Sequence, residues 1–371
     1  MPRLMRDDPT RQNPLALLTT AKIAACTDAT YPVKDYIRVS GDATLRIEPD
    51  CVFSVGERNP TSIFVTNETI INASHIDNSL PFMMGRDYYI YICDNSTDDE
   101  VFRISLNTTF PQGFNASNSR KIGGFHYGRC RRVNNRLEPI NGVSAVRGAG
   151  WEGSVFEGIV PRSVWTLAHR PKCTPEGMVF LGDGTWVDIY LSSTNGAGGL
   201  QSAINMLPLT GTEGHNWFAF NEMALVSDKR FLTYAEWCKA AFGSPQGNDG
   251  NNINAHSQTT NTARALTGSV ANAVSSLGCV DCVGNVWEWL DEFMTLYSAT
   301  GANAMASNSW HDVLGAGNGR AHMNAASQLI ALSAGGAWSS GVSAGPRAVT
   351  CTNVPWAVST TRGVRCASDS L

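Results

Sequence analysis

The sequence predicts an α+β protein in which β-rich N-terminal segments precede a C-terminal domain of mixed α and β structure. Short runs of β-branched and aromatic residues, separated by Asn, Asp, Ser and Gly, fill the chain from Cys51 to Cys130. The first clear helix start lies far beyond them, at Thr233. Charged residues make up only 16% of the 371 residues, and 35 residues are glycine. An average globular protein has about 25% charged residues, so this composition is typical of a loop-rich, β-rich chain.

The N-terminal half contains four runs with strong β propensity. Asn, Asp, Ser and Gly clusters bound each run, as expected of a small β-sandwich. The basic run that follows, Arg129–Arg132, is interpreted as part of a solvated linker. The predicted strands are Ser62–Val65, Thr69–Ile71, Tyr88–Cys93 and Val101–Leu106.

A turn at residues 182–184 (Gly-Asp-Gly) predicts a hairpin in the C-terminal half. Its two strands are expected at Gly177–Leu181 and Trp186–Leu191. Residues 244–275 have few large apolar side chains and many Asn, Ser, Thr and Gly residues. We therefore expect them to form long surface loops on a stable scaffold.

A capping box predicts where a helix begins. Thr233 and Glu236 have the spacing at which each side chain caps the backbone of the other residue. The helix is expected to run through Phe242, with Gly243 as the residue just beyond its C-terminal cap.

Charge and hydropathy argue against two classes of partner. The net charge of −4 and the pI near 6.0 give no electrostatic reason to expect nucleic acid. No run of apolar residues approaches 18, so membrane insertion is not expected, and Met1–Asn13 lacks the apolar region of a secretory signal. Cys279 and Cys282 form a C-x-x-C pair without a second pair at zinc spacing. Buried free thiols or an occasional disulfide are the better interpretation of most of the ten cysteines.

Three blocks in the last third of the chain carry a family resemblance. Cys282–Trp289, Gly335–Trp338 and Arg362–Cys366 follow one another in this order, and Arg230–Trp237 precedes them. Together they resemble the C-type-lectin-like fold of the formylglycine-generating-enzyme-like superfamily. Its members include the formylglycine-generating (sulfatase-modifying) enzymes and the variable proteins of diversity-generating retroelements.

Further strings resemble the phage tail-fibre members of the variable proteins. They are Asp87–Asp94, Arg120–Tyr127, Arg170–Lys172, Pro175–Met178 and Trp186–Leu191. This resemblance implies an N-terminal β-rich oligomerisation segment (1–50), a small β-sandwich domain (51–135) and a C-type-lectin-like ligand-binding domain (150–371). It also implies a homotrimer that binds a host-cell surface protein or another receptor, located at the tip of a virion tail fibre or on a host cell surface.

The residues favour binding over catalysis. In the enzymes, a cysteine pair placed two and seven residues after the aromatic residue of the Gly-Gly block binds copper. Here Ser340 and Gly345 occupy those places, and neither offers a thiolate. The histidines form no cluster in the sequence that would suit an iron site. The chain is therefore expected not to be an enzyme and to need no cofactor; the alternative is an oxidase of the formylglycine-generating type.

The resemblance also implies which residues vary. In the family, adenine-rich codons are rewritten by error-prone reverse transcription, and carrying these positions onto this chain gives ten sites. Two sets alternate along the chain, so each set is expected on one face of an extended strand. A merely solvated face of an amphipathic sheet is the alternative. The ten positions are Ala337, Ser339, Ser340, Ser343, Thr350, Thr352, Asn353, Ala357, Ser359 and Thr361.

Some members of the superfamily bind calcium, and the matching positions here are Asn285, Val286 and Glu288. A hydrogen-bonded loop without metal is the alternative at this place. Arg347 and Arg365 are expected to pair with buried carboxylates such as Glu288, on the basis of charge alone.

Overall fold

The structure, a computed structural model, describes residues 31–32, 37–40, 44–56, 60–78, 80–95, 100–131, 155–295, 309–311, 317, 319–323 and 329–371. The chain divides into two compact units. The first contains residues 1–128, 157–170 and 371, and the second contains residues 129–156 and 171–370. Most of the predicted segment 1–50 and of the predicted linker lies outside the described residues. The division into three domains stays a prediction.

Strands dominate the described residues, and only two α-helices occur among them, so the structure is mostly β and the predicted α+β class stays a prediction. Their bounds are β1 (Tyr31–Pro32), β2 (Ile37–Ser40), β3 (Thr44–Ile47), β4 (Cys51–Val55), β5 (Thr61–Val65), β6 (Thr69–Ile71), β7 (Arg86–Asp94), β8 (Glu100–Ser105), β9 (Ser119–Arg131), β10 (Val155–Ile159), β11 (Trp165–Thr166), β12 (Met178–Gly182), β13 (Thr185–Asp188), β14 (Ser192–Thr194), β15 (Leu200–Ser202), α1 (Trp217–Val226), β16 (Arg230–Phe231), α2 (Tyr234–Ala240), β17 (Trp287–Thr295), β18 (Ser309–His311), β19 (Ala321–Met323), β20 (Leu329–Ala334), β21 (Val349–Asn353), β22 (Arg362–Gly363) and β23 (Cys366–Asp369). Short 3-10 helices lie at Ala73–His75, Pro161–Ser163, Gly211–Glu213 and Gly341–Ser343.

Three sheets use the strands up to β11. Their strand orders are β1-β2-β3-β6, β4-β5 and β10-β9-β7-β8, and β11 pairs with β9. The close fit of β11 on β9 depends on glycine. A Cβ atom at Gly123 would lie 2.4 Å from the carbonyl oxygen of Trp165, and one at Gly124 would lie 2.7 Å from Trp165 Nε1. All four strands predicted in this half are confirmed, each to within two residues at either end.

Three further sheets use the strands from β12 onward. A four-stranded sheet has the order β12-β13-β23-β16, and a hairpin joins β14 and β15. A six-stranded sheet has the order β18-β19-β21-β20-β17-β22, with parallel pairing of β19 to β21 and of β17 to β22. The six-stranded sheet brings all three sequence blocks of the family resemblance together, because β17, β22 and the residues after β20 belong to those blocks.

Local sequence rules worked well in this second unit. The predicted hairpin is β12–β13, and Asp183 and Gly184 both have positive φ, 51° and 79°, as this kind of tight turn requires. The capping box is present in both directions: Thr233 N–H donates to Glu236 Oε2 at 2.9 Å, and Glu236 N–H donates to Thr233 Oγ1 at 3.2 Å. The helix itself, α2, ends at Ala240, two residues before the predicted end.

Two predictions about loops were wrong in part. Arg129–Arg131 belongs to strand β9 and is no solvated linker: Arg131 is buried, and its Nε donates to the carbonyl oxygen of Val274 at 2.6 Å. Residues 244–275 contain no helix or strand, as expected, yet several of their side chains are buried, including Ser257 and Thr267. Within the described ranges, no helix is long and apolar enough to cross a membrane.

Candidate functional site

One face of the six-stranded sheet gathers polar and aromatic side chains from every strand. Directly paired residues project to the same side of a sheet, and so do residues two apart on one strand. Strand pairing therefore defines a set that we name the front face. It consists of Trp310, His322, Thr350, Ser333, Trp289, Trp287 and Arg362.

The sheet curls towards its front face. The rings of Trp287 and Trp310 are stacked, with centroids 5.9 Å apart and an interplanar angle of 17°. Their strands, β17 and β18, are separated by three others in the sheet, so only strong curvature brings the rings together. His322 packs edge-on against Trp310, with ring centroids 4.8 Å apart. Five of the seven front-face side chains are nevertheless buried, and Trp289 packs in a core cluster with Trp217 and Phe220.

Three of the predicted variable residues lie in a row on β21. Thr350 Oγ1 and Thr352 Oγ1 are 2.9 Å apart, and Thr352 Oγ1 donates to Asn353 Oδ1 at 3.0 Å. Ser333 pairs with Thr350 and Ala331 pairs with Asn353, so β21 has one extra residue, a bulge, between Thr350 and Asn353. The bulge brings Asn353 to the side that the two threonines occupy. The two threonines lie on one side of β21, as predicted, but Thr350 is only 3% exposed, so the expected open surface is wrong at that position.

A second group of predicted residues lies in the loop 354–361. Ser359 Oγ and Thr361 Oγ1 are 3.0 Å apart, and Arg362 Nη1 donates to Ser359 Oγ at 3.2 Å. The predicted strand through Ala357, Ser359 and Thr361 is wrong, because no strand occurs between β21 and β22. Backbone turns at residues 354–357 and 359–362 bend this segment, and Pro355 has no N–H to donate to a ladder.

Fixed backbone contacts hold this loop at both ends. Trp217 N–H, the first of α1, donates to the carbonyl oxygen of Pro355 at 3.1 Å. Gly211 N–H donates to the carbonyl oxygen of Ser359 at 2.9 Å. A Cβ atom at Gly211 would lie 2.3 Å from the Ser359 nitrogen, so only glycine allows this approach. Between the contacts, the loop exposes Trp356 by 57%.

The remaining predicted positions follow the Gly335–Gly336 turn. Both glycines have positive φ, 95° and 97°, and a Cβ atom at Gly335 would lie 2.6 Å from the Cys282 carbonyl oxygen. Ala337 N–H donates to Ser340 Oγ at 2.9 Å. Ala337 packs against Trp287 and is only 2% exposed, so its predicted place on an open surface is wrong. Ser339 is exposed, whereas Ser343 and Ala357 are half-buried and make no side-chain hydrogen bond to the two groups described above.

Behind the front face lies a buried ion pair. Arg365 Nε donates to Glu288 Oε2 at 2.9 Å, and Nη2 donates to Oε1 at 3.1 Å. The other three N–H groups of Arg365 bind the carbonyl oxygens of Asp188, Ile189 and Val280. Burial raises the pKa of Glu288, which the Arg365 guanidinium opposes. The predicted pair is thus confirmed for Arg365.

Arg347 does not pair with Glu288. Its carbonyl oxygen accepts a hydrogen bond from Tyr234 Oη at 2.8 Å, on the opposite side of the sheet from the front face. Trp237 Nε1 donates to Glu288 Oε2 at 3.0 Å, which satisfies that carboxylate further.

The calcium candidates are engaged in other contacts. The side chain of Asn285 accepts from Ala265 N–H at 2.9 Å and donates to the Ala265 carbonyl oxygen at 3.1 Å. Val286 is fully buried against Leu191. Glu288 faces a guanidinium, which would repel a cation. These three residues as arranged do not fit a calcium ion, and they match the alternative of a hydrogen-bonded loop.

The copper positions do not fit that metal either. Ser340 Oγ caps a turn, and Gly345 has no side chain. In the described part of the chain, no group of three or more His, Cys, Asp or Glu side chains could hold a metal ion. The nine cysteines described are all free thiols. Among them, Cys279 and Cys282 are fully buried; a hydrogen bond from Cys282 lowers the pKa of Cys279, and burial raises that of Cys282.

Sequence reasoning missed Arg362 as a member of the site. The sequence places Arg362 in the family block Arg362–Cys366, to which a structural role is assigned, although it directly follows Thr361. Its side chain is 7% exposed and lies over the Trp289 ring, with Cζ 5.4 Å from the ring centroid. Burial lowers its pKa to about 10. A basic residue next to a predicted variable position was the available sign of its role.

Comparison with known proteins agrees with this architecture. A family model described as Mtd second domain matches residues 35–152. The tail fiber receptor-binding protein of Bordetella phage BPP-1 is 26% identical over 328 residues, covering 83% of this chain and 75% of that protein. The solved structure of the Major Tropism Determinant M1 variant has a TM-score of 0.67 at 23% identity, and the I1 variant has 0.66 at 24%. Each covers 91% of this chain, and this chain covers 83% of each, so the fold is shared.

The second family model spans the unit that carries the front face. It is described as sulfatase-modifying factor enzyme 1-like domain and matches residues 182–370, just over half of the chain. The matched range includes the buried Arg365–Glu288 pair and all strands of the six-stranded sheet. The chain therefore belongs to the sulfatase-modifying factor enzyme 1-like family.

Proposed function

We propose that this chain is a non-enzymatic receptor-binding protein of the phage tail-fibre type. In this proposal, a C-type-lectin-like domain presents the loop 354–361 and the adjoining residues Thr352 and Asn353 to a host-cell surface receptor, at the tip of a virion tail fibre. The similarity to a phage protein whose name states receptor binding supports the biological setting.

One observation carries the proposal for the site. Residues predicted to vary lie in two hydroxyl-rich groups, one on β21 and one in the loop 354–361. The buried Arg365–Glu288 pair holds together the scaffold that carries them. Thr352, Asn353, Ser359 and Thr361 are half-buried, so their side chains can be exchanged with less effect on the core than that of the buried Thr350. Trp356 adds an exposed aromatic side chain, the type that dominates binding energy at interfaces. We propose that retroelement-driven replacement at the ten positions retargets this surface.

Sequencing the 3′ end of this gene across a natural population tests the proposal. We expect substitutions to concentrate in the ten predicted codons, at adenines of a near-copy in the flanking DNA. The codons for Thr262 and Ser269 are matched controls, because both residues are exposed, hydroxyl-bearing and distant in sequence from the ten. Substitutions as frequent in the controls, with no near-copy nearby, would refute diversification.

We further propose that the chain works as a homotrimer. A site made of small polar groups binds weakly, and linking several such sites raises avidity by roughly 10² to 10⁴ without any new contact. Light scattering of the purified full chain, coupled to size-exclusion chromatography, should give about three times the 39.9 kDa chain mass. A monomer at all concentrations tested would remove the avidity argument.

The alternative of a copper-dependent oxidase lacks the necessary ligands. Membership of the family shows the fold, whereas copper chemistry would need two thiolates close together. Ser340 and Gly345 provide none, and Cys351 and Cys366 lie on different strands of different sheets. Cys279 and Cys282 lie close together but are fully buried. The binding function is therefore the better supported of the two.

A further inference from the structure

Arg362 differs sharply from the arginine three residues after it. All five N–H groups of Arg365 have acceptors, two of them carboxylate oxygens. Arg362 is nearly as buried, yet among the described residues no carboxylate lies within ion-pair distance of it. Its Nε has no acceptor, and its side-chain hydrogen bond, from Nη1, goes to a neutral hydroxyl, Ser359 Oγ.

A buried charge without a counter-charge is unfavourable, and folding alone gives no reason for it. The pKa of Arg362 is lowered by burial with no opposing charge, but at about 10 it leaves the guanidinium protonated at neutral pH. The Trp289 ring offsets part of the cost through a cation–π contact. The remaining donors point to an anion that is supplied from outside the chain.

The surroundings identify the kind of anion. A guanidinium edge binds a planar carboxylate through two parallel hydrogen bonds. Ser333, on the same face of the sheet, is fully buried, and its Oγ also has no partner among the described residues. The Trp289 ring covers one face of the guanidinium, so an anion would approach the edge of the group rather than that face.

We propose that Arg362 is a constant anchor for a carboxylate of the ligand, set among positions that vary. This inference rests on the proposed function, because it assigns a ligand chemistry to the same surface. Ser359 and Thr361, which flank Arg362 and are predicted to vary, would then control access to the guanidinium. Replacement of these residues would change which acidic group reaches the anchor, while the anchor itself stays the same.

The test compares the full chain with its Arg362→Met variant, using propionate as the probe. Thermal unfolding is followed at constant ionic strength, with propionamide as the neutral probe of the same shape. We expect propionate, but not propionamide, to raise the unfolding midpoint of the unmodified chain. Arg362→Met should lower the apparent affinity for propionate by about tenfold or more. N-acetylaspartyl amide and glucuronate, tested next, distinguish a peptide from a sugar as the source of the carboxylate.

Stability provides an independent readout. Arg362→Met loses one hydrogen bond to a hydroxyl and the contact with Trp289, but it also removes a buried charge that has no counter-charge. The variant should therefore unfold at the same temperature as the unmodified chain or higher. Arg230→Met is the matched control: it removes an arginine that is paired with Glu236 and Asp369, so it should lower the midpoint and keep the response to propionate. A propionate response that is absent, or unchanged in Arg362→Met, would overturn the inference.

The outcome separates the two proposals. The result of sequencing the ten codons does not depend on whether the surface binds an anion. Diversified codons without a propionate response would refute only the carboxylate anchor. A propionate response lost in Arg362→Met, together with uniform codons, would support the anchor on a surface that is not diversified.

Discussion

Replacing Glu288 by alanine is expected to lower the free energy of unfolding by about 3–5 kcal/mol. The substitution leaves the fully buried Arg365 guanidinium without its counter-charge and also removes the acceptor of Trp237 Nε1. Urea denaturation followed by tryptophan fluorescence measures the effect. Trp165 is the single tryptophan outside the unit that contains Glu288, so the signal reports mainly on that unit.

Two further variants show whether the charge is responsible. Lys239→Ala removes an exposed ion pair with Asp183 and should leave the free energy of unfolding almost unchanged. The double variant Glu288→Met/Arg365→Met removes both buried charges and should be more stable than Glu288→Ala alone. If the double variant is instead the less stable of the two, the backbone hydrogen bonds of Arg365 matter more than its charge.

Replacing Asp281 by asparagine should remove a pH dependence of about 3 kcal/mol, since burial raises the pKa of this carboxyl from 3.8 to about 6. Asp281 is buried at φ 58°, which asparagine tolerates. One carboxylate oxygen, Oδ2, accepts from Gly268 N–H at 2.7 Å, and Oδ1 has no partner among the described residues. The amide oxygen of asparagine can accept from the same N–H group.

The sign of this effect is opposite to that of an ordinary paired carboxylate. The folded chain binds the Asp281 proton more tightly than the unfolded chain does, so protonation favours folding. The contribution is complete below pH 3.8 and disappears as the pH rises through about 6. The unfolding free energy of the unmodified chain minus that of Asp281→Asn should therefore increase between pH 8 and pH 4. Carboxylates with a lowered pKa, such as Glu236, cancel in the difference; a flat difference would contradict the assignment.

Local rules account for the elements that the sequence predicted well. The hairpin at Asp183–Gly184 needs two residues with positive φ, which that dipeptide adopts readily. The start of α2 depends on Thr233 and Glu236, which cap each other within one turn. In both places the determining contacts lie within four residues, so the sequence contains them directly.

The wrong predictions involve contacts between distant residues. Arg131 was expected in solvent because a basic run normally stays hydrated, but the carbonyl oxygen it binds is 143 residues away. Ala337 was expected on an open surface, but the curl of the sheet buries it against Trp287. The absence of a counter-charge near Arg362 could not be foreseen either, because it becomes visible only once the whole unit is folded.

The reach of Arg365 also has a kinetic consequence. Its guanidinium joins carbonyl groups 177, 176 and 85 residues earlier in the chain. Contacts that close such long loops form late in folding, so folding should be slow. Interactions absent from the transition state act mainly on the rate of unfolding, which they reduce. In the proposed tail-fibre role, this contact would determine how long the protein keeps its structure, through slow unfolding rather than through a large equilibrium stability.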